Sequence, residues 1–303
     1  MILRMTYEIK NLTKYYPKQA QPANKAINLH IERGEIFGIL GDNGAGKTTL
    51  VRQMVNLLRP TSGSIMLFGR DVTHDPLHVP LNVGYMPQEA HALNNLSVGE
   101  ALYFTAHLRG MSRRDARRER DTLLAMWDSG HLREKYSSRL SGGQRRLLRL
   151  AVAMAGRMPV LILDEPTNDL APQRRRLVWD VLGQVNRDYG TTVIFITHDA
   201  IEAEKVIQRV GIMRAGELVA VGRPSDLKKQ VDQKLRLEMF FPPDKPPRMP
   251  EGLTHHQLQP GRWITWVERD DVSDVLNHLD LDQLEDFRLY SATLEDLYVH
   301  YVT

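Results

Sequence analysis

The sequence contains no cysteine. This absence excludes disulfide bonds, thiolate metal sites and a cysteine nucleophile, and it suits a reducing cytoplasm. Long apolar runs are missing as well, because runs such as 160–163 and 193–196 are far shorter than the ~20 residues that span a bilayer. Residues 1–5 are too short for a signal peptide. We therefore expect a chain that does not itself cross a membrane.

The net charge is also small, at +3 among 303 residues, and it does not by itself indicate a nucleic-acid partner. Charged residues make up 25% and apolar residues 42%, which is typical of a soluble chain with one large domain and one small one. The basic run at 113–120 is a local exception. A solvated helix face is the simpler interpretation, and contact with anionic lipid headgroups or an acidic partner is the alternative.

A glycine-rich segment at 41–49, here called the phosphate loop, reads GDNGAGKTT and fits the pattern G-x-x-x-x-G-K-[ST] in full. An apolar run at 35–40 predicts a strand before it, and the pattern at 50–58 predicts a helix after it. Glycines expose backbone N–H groups, and these bind phosphates together with the helix N-terminus. We assign Lys47 to the β- and γ-phosphates and the Thr48 hydroxyl to Mg²⁺.

Two adjacent carboxylates follow a predicted buried strand at 160–163. Asp164 at the strand end suits Mg²⁺, held through water. Glu165 suits a base that orients or polarises an attacking water. A charged turn after a strand is the alternative, but the phosphate loop in the same chain favours the catalytic interpretation.

Two further polar residues follow predicted buried strands. Gln88 ends the strand predicted at 82–87, and His198 follows the one at 191–197. The ends of parallel strands form the ligand-binding edge of an α/β sheet. We therefore expect Gln88 and His198 beside Glu165, with His198 sensing a γ-phosphate.

A second glycine-rich turn opens a helix at 140–146. It is a possible phosphate site, but it lacks a lysine and could not hold a nucleotide alone. The composition at 97–137 predicts about three helices, a helical subdomain inserted into the α/β core. The other predicted strands are 7–10, 27–31, 64–68, 210–214 and 217–221, and the other predicted helices of this part are 147–156, 173–187 and 201–206.

The character of the chain changes near residue 230. A proline-rich loop at 241–250 separates predicted strands at 235–240 and 262–267, and helices are predicted at 271–279 and 294–301. We expect residues 233–303 to form a small α+β appendage. His255 and His256 adjoin each other without further ligands at metal spacing, so surface positions are expected for both.

These motifs stand in the order found in the nucleotide-binding domain of ABC transporters, which the chain resembles over about residues 5–232. The resemblance rests on the phosphate loop, on LSGGQ at 140–144 and on the apolar run into DEPT at 164–167. It implies an α/β fold: a P-loop NTPase core with an antiparallel β subdomain and an inserted helical subdomain at about 97–158.

The resemblance also implies a role for each matching position, with ATP and Mg²⁺ as cofactors. Glu165 would be catalytic, with Gln88 contacting Mg²⁺ and the membrane partner, His198 as the switch histidine and Asp164 holding Mg²⁺ through water. Tyr16 would stack on adenine, with Tyr15 as the alternative. The implied ATP-binding residues of the phosphate loop are Gly41, Asp42, Asn43, Gly44, Ala45, Gly46, Lys47, Thr48 and Thr49. The implied signature segment, which contacts ATP held by a second copy, is Leu140, Ser141, Gly142, Gly143 and Gln144.

One position departs from the family pattern. The family usually has a small pair and then Leu-Asp-Pro after the Glu-Pro-Thr of 165–167, whereas this chain reads NDLAP at 168–172. Ala171 therefore stands at the usual aspartate, which removes a polar contact between the two copies. Asp169 is a candidate to compensate. The departure bears on coupling between two ATP sites more than on ATP binding.

The C-terminal segment YSATLEDLY at 290–298 resembles the ending of ATPases that pair with a separate export permease, as in daunorubicin-resistance pumps. We therefore expect the ATPase subunit of an exporter, on the cytoplasmic face of the membrane. Its expected partners are a second copy or a homologous ATPase chain and a multi-span permease, with no nucleic acid. An import ATPase, or a soluble ABC ATPase acting on a ribosome or nucleic acid, is the alternative.

Overall fold

The computed structural model describes residues 5–88, 93–197, 204–231, 234–250 and 252–302. They form two compact units, the first ending at Val221 and the second beginning at Gly222. The division therefore falls earlier in the chain than the predicted boundary at 232/233. Its reason is that helix Pro224–Val231 packs against helix Leu294–Val302 of the second unit. No helix among the described residues is long and apolar enough to cross a membrane.

The first unit contains two sheets. Its strands are β1 (Met5–Lys14), β2 (Asn24–Glu32), β3 (Ile36–Gly41), β4 (Ser62–Leu67), β5 (Arg70–Asp71), β6 (Val83–Met86), β7 (Val160–Asp164), β8 (Thr192–Thr197), β9 (Arg209–Arg214) and β10 (Glu217–Gly222). An antiparallel sheet has the order β2-β1-β4-β5, and a larger sheet has the order β10-β9-β3-β8-β7-β6. β3 pairs in parallel with β8 and β9, and β7 with β6 and β8. The predicted α/β class with an antiparallel subdomain is confirmed.

The helices of the first unit cover the sheets and build the inserted subdomain. They are α1 (Lys47–Met54), α2 (His78–Asn82), α3 (Val98–Leu108), α4 (Arg113–Met126), α5 (Gly142–Met154) and α6 (Pro172–Tyr189). Every residue of β3, β7 and β8 is buried, as expected for central strands covered on both faces. One apolar cluster joins Tyr7 and Ile9 of the antiparallel sheet to Leu50 of α1 and Ile194 of β8. The two sheets and α1 therefore share a core.

Two predicted helices differ from the structure. The helix predicted at 50–58 begins at Lys47 and ends at Met54, because Asn56 takes a left-handed φ of 56°. The Leu57 N–H then donates to the Arg52 carbonyl over 2.8 Å and closes the helix end. The helix predicted at 201–206 is not seen in its described part, since residues 204–206 form a turn. Residues 201–203 lie outside the described residues.

The second unit is a small α+β unit. Its sheet has the order β12-β13-β11-β14 and is antiparallel. The elements are β11 (Leu235–Phe240), β12 (His255–Gln259), β13 (Arg262–Val267), β14 (Asp286–Tyr290), α7 (Pro224–Val231), α8 (Val272–His278) and α9 (Leu294–Val302). Leu237 and Met239 pack with Val275 and Leu279 in its core. The predicted strands and helices of this unit are confirmed, while β12 and β14 were not predicted.

The two adjacent histidines lie on the unpredicted edge strand β12, and both are exposed. The His255 ring stacks on Trp263 with a centroid separation of 3.8 Å, and His256 meets Trp266 edge to face at 5.3 Å. Among the described residues, no group of three His, Cys, Asp or Glu side chains is arranged to hold a metal ion. The predicted surface position of His255 and His256 is confirmed.

Candidate functional site

The phosphate loop connects β3 to α1 and is held in a single shape by its neighbours. Gly46 caps α1 with a left-handed φ of 100°, and a Cβ at this position would lie 2.2 Å from the Ala23 carbonyl oxygen. The Asn24 side chain donates to the Gly46 carbonyl over 3.1 Å and accepts from Gln53 of α1 over 2.7 Å. Only glycine fits at residue 46, and β2, the loop and α1 are locked together.

Lys47 begins α1 and folds back over the loop. Its ammonium donates to the carbonyl oxygens of Gly41, at 2.5 Å, and Asp42, at 3.0 Å. Burial lowers the pKa of Lys47, while Glu165 and Asp164 act in the opposite direction. A buried cation that is held by backbone carbonyls is well placed to exchange them for phosphate oxygens.

Thr48 meets Asp164 at the end of β7, and its hydroxyl donates to Asp164 Oδ2 over 3.3 Å. Burial raises the pKa of Asp164, the hydrogen bond from Thr48 opposes the rise, and the charge of Glu165 adds to it. A buried carboxylate with a raised pKa gains from a nearby cation. Hydroxyl and carboxylate oxygens are the donors that Mg²⁺ prefers, so this pair fits the expected metal.

These groups line one open cleft at the carboxyl edge of the parallel sheet. Its lining consists of Ala23, Asp42, Asn43, Gly44, Gly46, Lys47, Thr48, Thr49, Gln88, Asp164, Glu165 and Ile196. The structure thus brings together most of the predicted nucleotide-binding and catalytic residues. Gly41 and Ala45 are buried and are not part of this lining. Gln88 is exposed, and its carbonyl accepts from Arg149 over 2.8 Å.

Glu165 follows β7 in an unusual backbone conformation. Its φ is 53°, in the left-handed region, and the residue is only 6% exposed. Its N–H donates to the Ile196 carbonyl over 3.0 Å, and its carbonyl accepts from the Arg146 guanidinium. Such strain in a buried acid is typical of functional sites, because surrounding contacts must maintain it.

The two candidate aromatics differ in position. The Tyr16 hydroxyl lies 3.3 Å from the Thr49 hydroxyl at the start of α1, and the Lys14 ammonium lies 5.8 Å from the Tyr16 ring. The Tyr15 backbone N–H donates instead to Thr61 over 3.0 Å, and its side chain is 45% exposed. Tyr16 is therefore the one of the two aromatics that reaches the phosphate loop, and its stacking on adenine stays a prediction.

The signature segment 140–144 opens α5. Ser141 and Gln144 form a capping box, in which the Gln144 N–H donates to Ser141 Oγ over 3.3 Å and the Ser141 N–H donates to Gln144 Oε1 over 3.1 Å. Ser141 and Gly142 are exposed, and the described lining of the cleft includes none of the segment. The exposed residues Ser141 and Gly142 are therefore accessible to a ligand outside the chain's own cleft.

His198, the predicted switch histidine, lies outside the described residues. Of the basic run at 113–120, the side chains of residues 113, 114, 117 and 118 are exposed on α4. Their exposure agrees with the solvated helix face that was the simpler interpretation.

Several residues of the site were not predicted from the sequence. Ala23 and Ile196 line the cleft, Asn24 anchors the loop, and Arg146 contacts Glu165. Each acts through a contact between segments that are distant in the chain. No local motif marks Ala23, Asn24 or Ile196, whereas the arginines after the signature segment were visible without an assigned role.

A glycine loop with a buried lysine, facing a strand that ends in two acids, defines a phosphate-loop ATPase domain. The family model described as ABC transporter matches residues 24–168. The chain is 31% identical over 291 residues to methionine import ATP-binding protein MetN 1 of Burkholderia lata, covering 91% of this chain and 85% of that protein. The chain belongs to the ABC-transporter family of ATP-binding proteins.

Two other similarities extend this result. The chain is 36% identical over 220 residues to the human retinal-specific phospholipid-transporting ATPase ABCA4, covering 73% of this chain and 10% of that protein. It thus spans about a tenth of the length of ABCA4. A dimeric post-hydrolysis structure of the ATP-binding cassette MJ0796, bound to ADP and Pi, matches with a TM-score of 0.67 and 25% identity over 72% of this chain and 98% of that one. The chain is an ABC ATPase cassette.

Proposed function

We propose that this chain is the ATP-hydrolysing subunit of an ABC exporter that drives a separate membrane permease. The observation that carries the proposal is the single cleft in which Lys47, Thr48, Asp164 and Glu165 converge. These are the groups that phosphoryl transfer needs: hydrogen-bond donors to the phosphates, oxygen ligands for Mg²⁺ and a carboxylate that polarises the attacking water.

Each residue has a defined task in this proposal. Bound ATP with Mg²⁺ supplies the activated γ-phosphoryl group. Lys47 and the loop N–H groups hold the phosphates, while Thr48 and Asp164 orient the metal. Glu165 polarises the water, and a buried carboxylate that is held by its backbone is suited to that role. His198 and Gln88 keep their predicted roles as γ-phosphate sensor and link to the permease.

Turnover in this proposal requires two copies of the cassette. Ser141 and Gly142 of the signature segment are exposed, and the described lining of the chain's own cleft includes none of the segment, so it is free to close on ATP in a second chain. The dimeric MJ0796 cassette, which binds ADP and Pi, supports this arrangement. ATP binding would close the dimer head to tail, and hydrolysis at Glu165 would open it again.

Export is favoured by the C-terminal segment 290–298, which resembles the ending of ATPases that pair with an export permease. Import is the second candidate, because MetN 1 is named an import ATP-binding protein and matches both units of this chain. In either case the chain would sit on the cytoplasmic face of the membrane against a multi-span permease.

The test is affinity capture of tagged Glu165→Gln from detergent-solubilised membranes with ATP and Mg²⁺ present. The variant should hold the closed dimer and recover a multi-span membrane protein. Lys47→Ala, which should bind ATP more weakly, is the matched control and should recover less of that partner at an ATP concentration that saturates the parent chain. Recovery only from the cytosol with ribosomes or nucleic acid, sensitive to salt, would support the soluble ATPase instead.

The direction of transport needs a second measurement. The captured permease would be reconstituted with the parent chain in vesicles whose ATP sites face outward. ATP-driven accumulation of substrate inside these vesicles corresponds to export from the cell, and ATP-driven release corresponds to import. Glu165→Gln in the same vesicles should abolish either movement.

A further inference from the structure

The segment after β7 contains two residues in the left-handed region, Glu165 with a φ of 53° and Asp169 with a φ of 59°. Neither is a glycine, so both conformations cost free energy and must be maintained by the surroundings. One side chain reaches both residues. The Arg146 guanidinium donates to the Glu165 carbonyl with Nη1 and to Asp169 Oδ2 with Nη2, the latter over 3.3 Å.

The two halves of this bridge differ in strength. The Arg146 side chain is 11% exposed, whereas that of Asp169 is 85% exposed. A pair with such an exposed carboxylate contributes little, because solvent screens it. A bond from a charged donor to a carbonyl that is shielded from water contributes more. The contact with the Glu165 backbone therefore dominates, and Asp169 mainly orients the guanidinium.

The position of Arg146 on α5 places the bridge between two predicted functional segments. It lies one turn into α5, and α5 begins with the signature segment that would serve the second copy. Glu165 serves the chain's own cleft. The guanidinium therefore joins the element that would contact one ATP to the acid that would hydrolyse the other. Ala171, which lacks the usual carboxylate, lies just beyond Asp169.

We propose that Arg146 is a positioning residue that holds Glu165 in its catalytic conformation and links it to the signature segment. This inference rests on the proposed role of Glu165 as the catalytic base. Without the bridge, the backbone at Glu165 can relax and move the carboxylate away from the attacking water. A displacement of about 1 Å at a reacting group costs about 100-fold in rate.

The experiment compares steady-state ATP hydrolysis and nucleotide affinity in the full chain. We expect Arg146→Gln to lower kcat about 10- to 100-fold while the Kd for ATP changes less than about twofold. Arg146→Lys should fall between parent and Gln, because one ammonium cannot make the forked contact. Asp169→Asn should lower kcat less than Arg146→Gln does. Arg114→Gln, an exposed arginine on α4, is the matched control and should keep the parental kcat.

Two outcomes would overturn the inference. An unchanged kcat in Arg146→Gln would show that Glu165 does not depend on the bridge. If Arg146→Gln lowers the Tm and weakens ATP binding as well as lowering kcat, the role of Arg146 is merely structural. Combining Arg146→Gln with Glu165→Gln should add no further loss of turnover. If the parent chain itself fails to hydrolyse ATP, or Glu165→Gln keeps the parental rate, the proposed function fails before Arg146 is compared.

Discussion

The Thr48 hydroxyl donates to Asp164 Oδ2 over 3.3 Å and joins two segments that are 116 residues apart in the chain. One segment begins α1 and the other ends β7. The pair brings the loop that is predicted to bind phosphate and the carboxylate that is predicted to hold Mg²⁺ to one point. It also keeps the buried Asp164 carboxylate beside Glu165. Burial and the charge of Glu165 both disfavour the ionised form of Asp164, so this arrangement lowers the stability of the fold.

This destabilisation predicts a pH-dependent gain in stability for Asp164→Asn. Burial raises the pKa of Asp164, so the folded chain holds this proton more tightly than the unfolded chain. The ionised carboxylate therefore lowers stability above the ordinary aspartate range. Without nucleotide and with EDTA, the variant should melt above the parent at about pH 8, and the difference should shrink towards about pH 4. A gain independent of pH would contradict this account.

Lys47→Ala should bind ATP more weakly. The lost ammonium makes charge-assisted contacts worth about 1.5–3 kcal/mol, which corresponds to about 10- to 150-fold in Kd. Titration calorimetry with ATP and Mg²⁺ measures the change. Lys10→Ala is the matched control, because Lys10 is exposed and pairs only with Glu8 among the described residues. Unchanged affinity in Lys47→Ala would count against the phosphate-loop assignment.

Ala171→Asp should stabilise the chain. Ala171 is the N-cap of α6 and makes no side-chain capping bond. A capping carboxylate contributes about 0.5–2 kcal/mol over alanine, which raises Tm by about 2–4 °C per kcal/mol in a domain of this size. Thermal melts check the value. Ala171→Asn supplies a cap without charge and should give a similar gain. If both variants have the same Tm as the parent, the missing cap at Ala171 does not affect the stability of the chain.

A paired-cysteine variant tests the head-to-tail dimer. Asn43 in the phosphate loop is exposed, and a side chain at Gly142 of the signature segment would meet no atom within 4 Å. In a Glu165→Gln background, Asn43→Cys with Gly142→Cys should form a disulfide-linked dimer under mild oxidation only with ATP. Because the chain has no cysteine of its own, every disulfide must join introduced residues.

The single-cysteine variants are the controls for this experiment. Neither should cross-link alone, because each lacks the opposing thiol, but a mixture of the two should. Cross-linking that does not depend on ATP, or that occurs in the single variants, would argue against the proposed arrangement. The readout is a non-reducing gel, so it does not depend on catalytic turnover.

Much of the first unit could be predicted because its central strands are continuous apolar runs that end in polar motifs. β3 and β7 were identified in this way. The end of α1 was wrong by several residues, since the left-handed conformation of Asn56 interrupts a sequence with no glycine or proline there. β12 was missed because its sequence, HHQLQ, lacks the alternation that marks a half-buried strand. β14 reads DFRLY, which alternates over only five residues, and it was not identified.

The candidate site was predictable to the extent that its chemistry is local. The loop and the paired acids are contiguous motifs with characteristic residue types. Arg146 and Asn24 act across the fold, through a guanidinium that reaches Glu165 and an amide that reaches Gly46. Such contacts follow from tertiary packing, and the spacing of residues in one sequence does not predict them.

The interlock of Asn24, Gly46 and Gln53 has a thermodynamic consequence for nucleotide capture. Binding sites that order only when a ligand arrives lose affinity to the entropy of ordering. Here the loop already has its shape, and the Lys47 ammonium already rests on the carbonyls of Gly41 and Asp42. If Lys47 binds phosphate as proposed, capture of ATP would be an exchange of partners on a preformed loop, in which phosphate oxygens displace carbonyl oxygens without a folding step.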